Sequence, residues 1–200
     1  MANDEVLLVV DIQNDFCPGG RLAVERGHEV IPIINQLMND HDHIVLTQDW
    51  HPADHSSFAS QHPGAKPFDS FQASYGTQTL WPDHCVQASE GAAFHKDLER
   101  SRAELVLRKG FRREIDSYSA FFENDRKTPT GLGGYLSERG IKRVTLAGLA
   151  TDFCVGFSAL DARRLGLGVT VIEKACRAID IGGSLETMKQ QWKKAGVKLA

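Results

Sequence analysis

Apolar residues along this chain follow two rhythms. Short unbroken runs occur at VLLVV (6–10), IVLT (44–47), LVLR (105–108), Val144–Leu149 and VTVI (169–172). They lack the polar alternation of a half-exposed strand and read as strands buried on both faces. Between them, apolar side chains recur at three- and four-residue spacing in Val30–Met38, Leu132–Arg139, Asp152–Leu165 and Leu185–Ala195, which predicts helices. Strands alternating with helices predict a mostly parallel sheet covered on both faces, a single three-layer α/β/α domain over residues 1–200. No internal repeat or low-complexity tract interrupts the pattern.

The rhythm breaks at residues 49–104, which are crowded with His, Asp, Pro, Gly and aromatic residues and have little periodicity. An irregular stretch of that length inside a compact domain is usually functional. In a parallel sheet the carboxyl ends of the strands share one edge, where ligands bind. Three reactive side chains fall at such ends: Asp11 after VLLVV, Lys109 after LVLR, and Cys154 after Val144–Leu149. Each alone is weak, because a charge after a strand usually meets solvent. Together they supply a thiol with an acid and a base, the parts needed for attack on a carbonyl.

The stretch AGLATDFCVG (147–156) sharpens this reading, because the period changes from strand to helix near Thr151. Thr151 or Asp152 is then the expected N-cap, and Cys154 falls in the first helical turn, where free amides and the helix dipole favour a thiolate. The plainer alternative is a small buried apolar residue, which most free cysteines are.

Composition narrows the function class. Over 200 residues the formal net charge is −3, and no basic block or basic–aromatic interleaving is present, which argues against nucleic acid as a partner. The opening MANDEV carries acids where a secretory leader has cations, and no apolar run approaches the roughly 18 residues of a membrane span, so a cytoplasmic location is expected. The four cysteines, Cys17, Cys85, Cys154 and Cys176, lie far apart and are expected to be reduced. Homo-oligomerisation is left open.

A second chemical cluster lies in TQDWHPADH and WPDHC. Asp49 and His51 are two apart in an extended segment and can face the same way, and His84 supplies a second imidazole. Two imidazoles and a carboxylate are a common ligand set for one divalent ion, with zinc favoured and iron or manganese as alternatives. His55, four residues beyond His51, is a weaker candidate that fits a supporting or solvent-facing role as readily as ligation.

In order along the chain, VVDIQNDFCPGG, TQDWHPADHSSF, LWPDHCVQ, GAAFH, RKGF, DSYSAF and GLATDFCV resemble the nicotinamidases, or pyrazinamidases, of the isochorismatase-like cysteine hydrolase superfamily. The resemblance implies an isochorismatase-like fold and hydrolysis of nicotinamide to nicotinate and ammonia, with pyrazinamide as a related substrate, in pyridine nucleotide salvage. It places the catalytic acid/base on Asp11, the lysine on Lys109 and the nucleophile on Cys154. It places metal ligands on Asp49, His51 and His84, with a further histidine near His55 in some members. It also implies a cis peptide between Ala150 and Thr151, an oxyanion hole from the amides of Ala150 and Cys154, a ring sandwich between Phe16 and Trp81, and a wall at Tyr118. For each aromatic the ordinary alternative is core packing. Three rival readings remain: another small-amide or carbamoyl hydrolase of the same superfamily, hydrolysis by metal-activated water, or a non-catalytic metal-binding relative.

Overall fold

The computed structural model describes residues 4–200; Met1–Asn3, which open the stretch read above for a leader, lie outside the described residues. The chain forms β1 (Glu5–Val10), α1 (Val30–Asn39), β2 (His43–Asp49), a hairpin of β3 (Ser70–Ala73) and β4 (Gly76–Thr79), β5 (Leu105–Lys109), α2 (Leu132–Glu138), β6 (Arg143–Leu149), α3 (Cys154–Arg164), β7 (Gly168–Arg177), α4 (Ser184–Ala195) and β8 (Lys198–Leu199). The main sheet has six parallel strands in the order β5-β2-β1-β6-β7-β8.

Why the strands read as continuous apolar runs is plain from the packing. Leu7, Val9, Ile44, Leu46, Ala147 and Leu149 point to one face and meet Val30, Ile31, Ile34 and Met38 of α1. Their neighbours Val6, Leu8, Val10, Val45, Val144 and Leu146 point to the other face and meet Leu136 of α2, Val155, Ala159 and Ala162 of α3, and Met188 and Trp192 of α4. Successive side chains of a strand alternate faces, so a sheet covered on both sides needs apolar residues at every position.

Chain order fixes where a crevice opens. From β1 the chain moves outward through β2 to β5, then returns to the far side of β1 and moves outward through β6, β7 and β8. The reversal lies between β1 and β6, the place where ligands bind in open α/β sheets. There the two backbones approach so closely that a Cβ on Gly148 (φ +133°) would strike the Val10 carbonyl.

Three features differ from the sequence-based expectation. β7 is ten residues long rather than four, because an irregularity that includes exposed Glu173 and Lys174 interrupts it before Cys176 and Arg177 resume pairing with β6. The stretch 49–104 holds the β3–β4 hairpin, whose strands SFQA and GTQT are four residues each and carry one large apolar side chain, Phe71, too little for the pattern to register. Helix α3 starts at Cys154, and its flanking residue Phe153 makes no side-chain cap. Asp152 does not cap because its carboxylate accepts hydrogen bonds from the amides of Ile179 and Asp180 and the hydroxyl of Ser184 instead. All four cysteines are free and buried. Among the described residues no helix is long and apolar enough to cross a membrane.

Candidate active site

Four adjacent strands direct residues at or beyond their carboxyl ends to one buried corner. Lys109 ends β5, Asp49 ends β2 beside it in register, Asp11 follows β1, and Cys154 lies just past β6. Lys109 is wholly buried. Its ammonium is ion-paired with Asp49 Oδ1, sits 2.9 Å from Asp11 Oδ2 and 3.3 Å from Cys154 Sγ, and donates to the Ser117 carbonyl at 3.0 Å. A buried cation needs such partners, since leaving one charge uncompensated costs several kcal/mol, about 3 to 5.

Asp11 adopts the left-handed region (φ +48°), which aspartate tolerates better than most residues. Thr47 holds it there: the Asp11 amide donates to Thr47 Oγ1 at 3.2 Å, and that hydroxyl donates to Asp11 Oδ1 at 2.6 Å. Oδ2 faces Lys109 Nζ as an ion pair at 2.9 Å and has no other polar partner. One lone pair of Asp11 is therefore free to take a proton in the corner it shares with the Cys154 thiol.

The protonation pattern corrects one expectation. Burial pushes the Cys154 thiol well above its ordinary value; Lys109 pulls it down, but the nearby carboxylates of Asp11 and Asp49 push the same way as burial. The resting group is a thiol rather than the thiolate expected from the helix start and the lysine. Burial likewise raises Asp11 against the pull of Lys109. Burial opposes the charge on Lys109, yet Asp11 and Asp49 hold it firmly protonated.

On the other side of Asp49, its Oδ2 faces two imidazoles. His51 Nδ1 lies 2.8 Å from the Gly110 carbonyl and His84 Nδ1 lies 2.8 Å from the Pro82 carbonyl, so both Nδ1 atoms must carry the hydrogen. That leaves both Nε2 lone pairs toward Asp49 Oδ2, at 3.7 Å for His51 and 4.0 Å for His84. These separations exceed hydrogen bonds but stay within twice a metal–ligand distance of about 2.1 Å. Backbone carbonyls orienting the rings from behind are the usual support of metal-ligating histidines. Gly110 (φ +65°) permits this at His51, because a Cβ there would strike the imidazole. Burial and the neighbouring His51 push His84 down to about 4, which keeps it a neutral donor. Burial alone would raise Asp49, but Lys109 and the two imidazoles hold it well below the usual carboxylate range. The Gln13 side chain fixes the Asp49 backbone, accepting from its amide at 2.8 Å and donating to its carbonyl at 2.9 Å.

His55 stands behind this group. Its ring centroid is 4.4 Å from that of His51, Nδ1 is 2.7 Å from Ser57 Oγ, and Nε2 lies 3.4 Å from the Ile115 carbonyl. Its ring could join a second donor group with His51 and Asp116.

Cys154 and the Asp49, His51 and His84 side chains line one pocket with Phe16, Trp81, Tyr118, Phe153, Leu22, Ile179, Ala150 and Asp116, while Asp11 and Lys109 are buried outside its lining. The space between the lining side chains, open solvent included, amounts to about 320 Å³. Trp81 meets Phe153 edge-on at 4.9 Å, and its indole N–H donates to the Tyr118 hydroxyl at 3.1 Å. The structure thus brings together every residue singled out in the sequence. Four pocket residues were not singled out. Phe153 and Asp116 stand inside motifs already quoted, Leu22 lies just past one, and Ile179 follows a strand whose full length the pattern hid.

The turn after β6 differs in detail from the expectation. The cis peptide joins Leu149 and Ala150, one position before the bond implied by the resemblance. The Thr151 amide still donates to the Arg177 carbonyl at 2.9 Å, extending the β6–β7 ladder past the turn. Among the described residues, neither the Ala150 nor the Cys154 amide has a hydrogen-bond acceptor.

Known proteins are similar to this chain in sequence and fold. The family model described as the isochorismatase domain matches residues 5–198. A nicotinamidase of Acinetobacter baylyi is 55% identical over 197 residues, covering 98% of this chain and 92% of that protein. The solved nicotinamidase/pyrazinamidase of Acinetobacter baumanii superposes with a TM-score of 0.98 at 52% identity, covering 100% of this chain and 96% of the other. The pyrazinamidase of Pyrococcus horikoshii, solved in complex with zinc, does so with a TM-score of 0.78 at 33% identity, covering 98% of each chain. With a family match across nearly its whole length and relatives this similar, the chain belongs to the isochorismatase-domain family.

Proposed function

We propose that this chain hydrolyses nicotinamide to nicotinate and ammonia, and pyrazinamide likewise, through a thioester on Cys154. The observation that carries the reading is the shared pocket: one buried corner presents a thiol, a lysine and a carboxylate with a free lone pair, and the opposite corner presents two oriented imidazoles and a carboxylate. A primary amide on a nitrogen heterocycle fits both ends at once.

A divalent ion, zinc ahead of iron or manganese, would be held by Asp49, His51 and His84 and would anchor and polarise the ring nitrogen. Phe16, Trp81 and Tyr118 confine the ring and leave the carboxamide over Cys154. Asp11 Oδ2 takes the thiol proton as sulfur attacks the carbonyl carbon, and Lys109 stabilises the anion formed. The carbonyl electrons move onto oxygen, where the unpaired amides of Ala150 and Cys154 receive them; such donors are worth roughly 3 to 4 kcal/mol each in other acyl-transfer enzymes. Collapse breaks the C–N bond, and Asp11 returns its proton to the departing ammonia. Water then attacks the thioester with Asp11 again as base, releasing nicotinate and restoring the thiol.

Because Cys154 rests as a thiol, attack is coupled to proton transfer rather than prepared by a standing thiolate. Ammonia release from nicotinamide, assayed with the protein as purified, after chelation and after adding back zinc, tests the reading. Turnover that falls on chelation and returns with metal is expected. A folded, metal-loaded protein that releases no ammonia would refute it.

A further inference from the structure

Ile179 and Asp152 form a feature that the mechanism leaves unused. The pocket runs along the strand-end crevice: the imidazole corner belongs to the β2 end, Ala150 and Cys154 to the end of β6, and Ile179 to the segment beyond β7. In sheet order β2-β1-β6-β7, the ring-nitrogen anchor and Ile179 stand at opposite ends with the thiol between them. The Thr151–Arg177 hydrogen bond ties the end of β7 to the turn that carries the two free amides. Ile179 is half-buried and lines the same pocket as Ala150 and Phe153.

The segment that carries it packs Ile179 and Ile181 against the core but turns sharply between and beyond them. Asp180 (φ +53°), Gly182 (φ +58°) and Gly183 (φ +82°) are left-handed, and both glycines are exposed. The segment's buried polar anchor is the Asp152 carboxylate, 2% exposed, which accepts from the Ile179 amide at 3.0 Å, the Asp180 amide at 2.8 Å and the Ser184 hydroxyl at 2.5 Å. Asp152 is also two residues from the nucleophile. One carboxylate therefore locks the wall of the amide end to the turn that binds the developing oxyanion.

We infer that Ile179 closes the pocket beyond the carboxamide and restricts the enzyme to unsubstituted primary amides, with Asp152 as the positioning residue that holds it there. The inference rests on the nicotinamide reading of the same pocket. A methyl group on the amide nitrogen would occupy the space that the Ile179 side chain fills, whereas changes on the ring would not meet it.

The test compares nicotinamide with N-methylnicotinamide in the wild type, Ile179→Val, Ile179→Ala and Asp152→Ala. The readout is the ratio of kcat/KM for the two amides, with their binding ratio measured by calorimetry alongside. Ile179→Ala should shift the ratio toward the N-methyl amide by about tenfold or more, the discrimination expected when a pocket contact of this size is removed, and Ile179→Val by less. Asp152→Ala should shift it in the same direction, while a role in fold stability alone would lower both rates together and leave the ratio fixed. An unchanged ratio in Ile179→Ala overturns the inference, even if Asp152→Ala does not fold. Should the wild type bind both amides but hydrolyse neither, the nicotinamidase reading fails separately. The binding ratio then decides: a shift in Ile179→Ala supports the wall, and an equal ratio or no binding refutes it.

Discussion

The two corners of the pocket share Asp49 but are held by different forces. The Asp11–Lys109–Cys154 corner is built from strand ends and held by charge: one buried ammonium faces two carboxylates and a thiol. The Asp49–His51–His84 corner draws two of its three side chains from irregular segments, and backbone carbonyls of Gly110 and Pro82 aim them. Charge fixes the first corner and so ties it to folding. Dipoles orient the second, which can lose a ligand without losing the fold. Asp49 spans the two, giving one oxygen to Lys109 and turning the other toward the imidazoles.

The sharpest break between the corners is Cys154→Ala, expected to lower nicotinamide turnover by roughly four to six orders of magnitude while bound metal stays at full stoichiometry. Ammonia release and elemental analysis on the same sample check it. Turnover near wild type would move the chemistry to the imidazole corner.

Lys109→Met should cost about 3 to 5 kcal/mol of folding stability, because two buried carboxylates lose their counter-charge. Lys189→Met, which breaks the exposed pair with Glu173 at 2.7 Å, should cost about 0 to 1 kcal/mol. Urea unfolding midpoints measure both. Equal losses would mean that charge does not hold the first corner.

His84→Ala should remove bound metal and raise KM for nicotinamide roughly 10- to 100-fold, with KM for benzamide changed by about threefold or less, since benzamide lacks the ring nitrogen. The fold should survive. The same residue predicts a pH dependence in chelator-treated protein. Folding lowers the His84 value to about 4, so between its unfolded value near 6.5 and that point the unfolded state binds the extra proton. His84 therefore contributes stability above pH about 6.5 that is lost as pH falls toward 4, by up to about 1.4 kcal/mol per pH unit. The difference between wild type and His84→Gln across that window isolates the effect; parallel curves would contradict it.

The smallest change separates a ligand from its support. His55→Ala should weaken metal binding by about tenfold or less, through the stack on His51, and leave stoichiometry intact. Complete loss of metal, as in His84→Ala, would make it a ligand.

What the sequence disclosed follows from the same division. Asp11, Lys109 and Cys154 stand at or just past the ends of apolar runs; those of β1 and β6 are buried on both faces, whereas β5 is an edge strand with Val106 46% exposed, contrary to the expectation for LVLR, and only its apolar composition marks its end. Asp49, His51 and His84 were visible as a donor set but not as a geometry, because Gly110, which aims His51, comes from another segment, and the turn through which Pro82 aims His84 has no periodicity to announce it. The β3–β4 hairpin was hidden by its short, mostly polar strands, and the length of β7 by the irregularity that includes Glu173 and Lys174. Asp152 looked like a cap because acids before a helix usually are; its bonds to residues 179–184 join segments that only the folded sheet brings together. The state of Cys154 was misjudged for a related reason: the pull of Lys109 can be read from spacing, but burial outweighs it.

The central claim is that an acyl group is held on Cys154 before water releases it. Partitioning by hydroxylamine tests this most directly: with nicotinamide and increasing hydroxylamine, nicotinohydroxamate should form at the expense of nicotinate, and the fraction should rise with nucleophile concentration. Cys154→Ala should abolish both products. Nicotinate formed at the normal rate with no hydroxamate at any concentration, or unchanged product formation by a folded Cys154→Ala protein, would contradict the account.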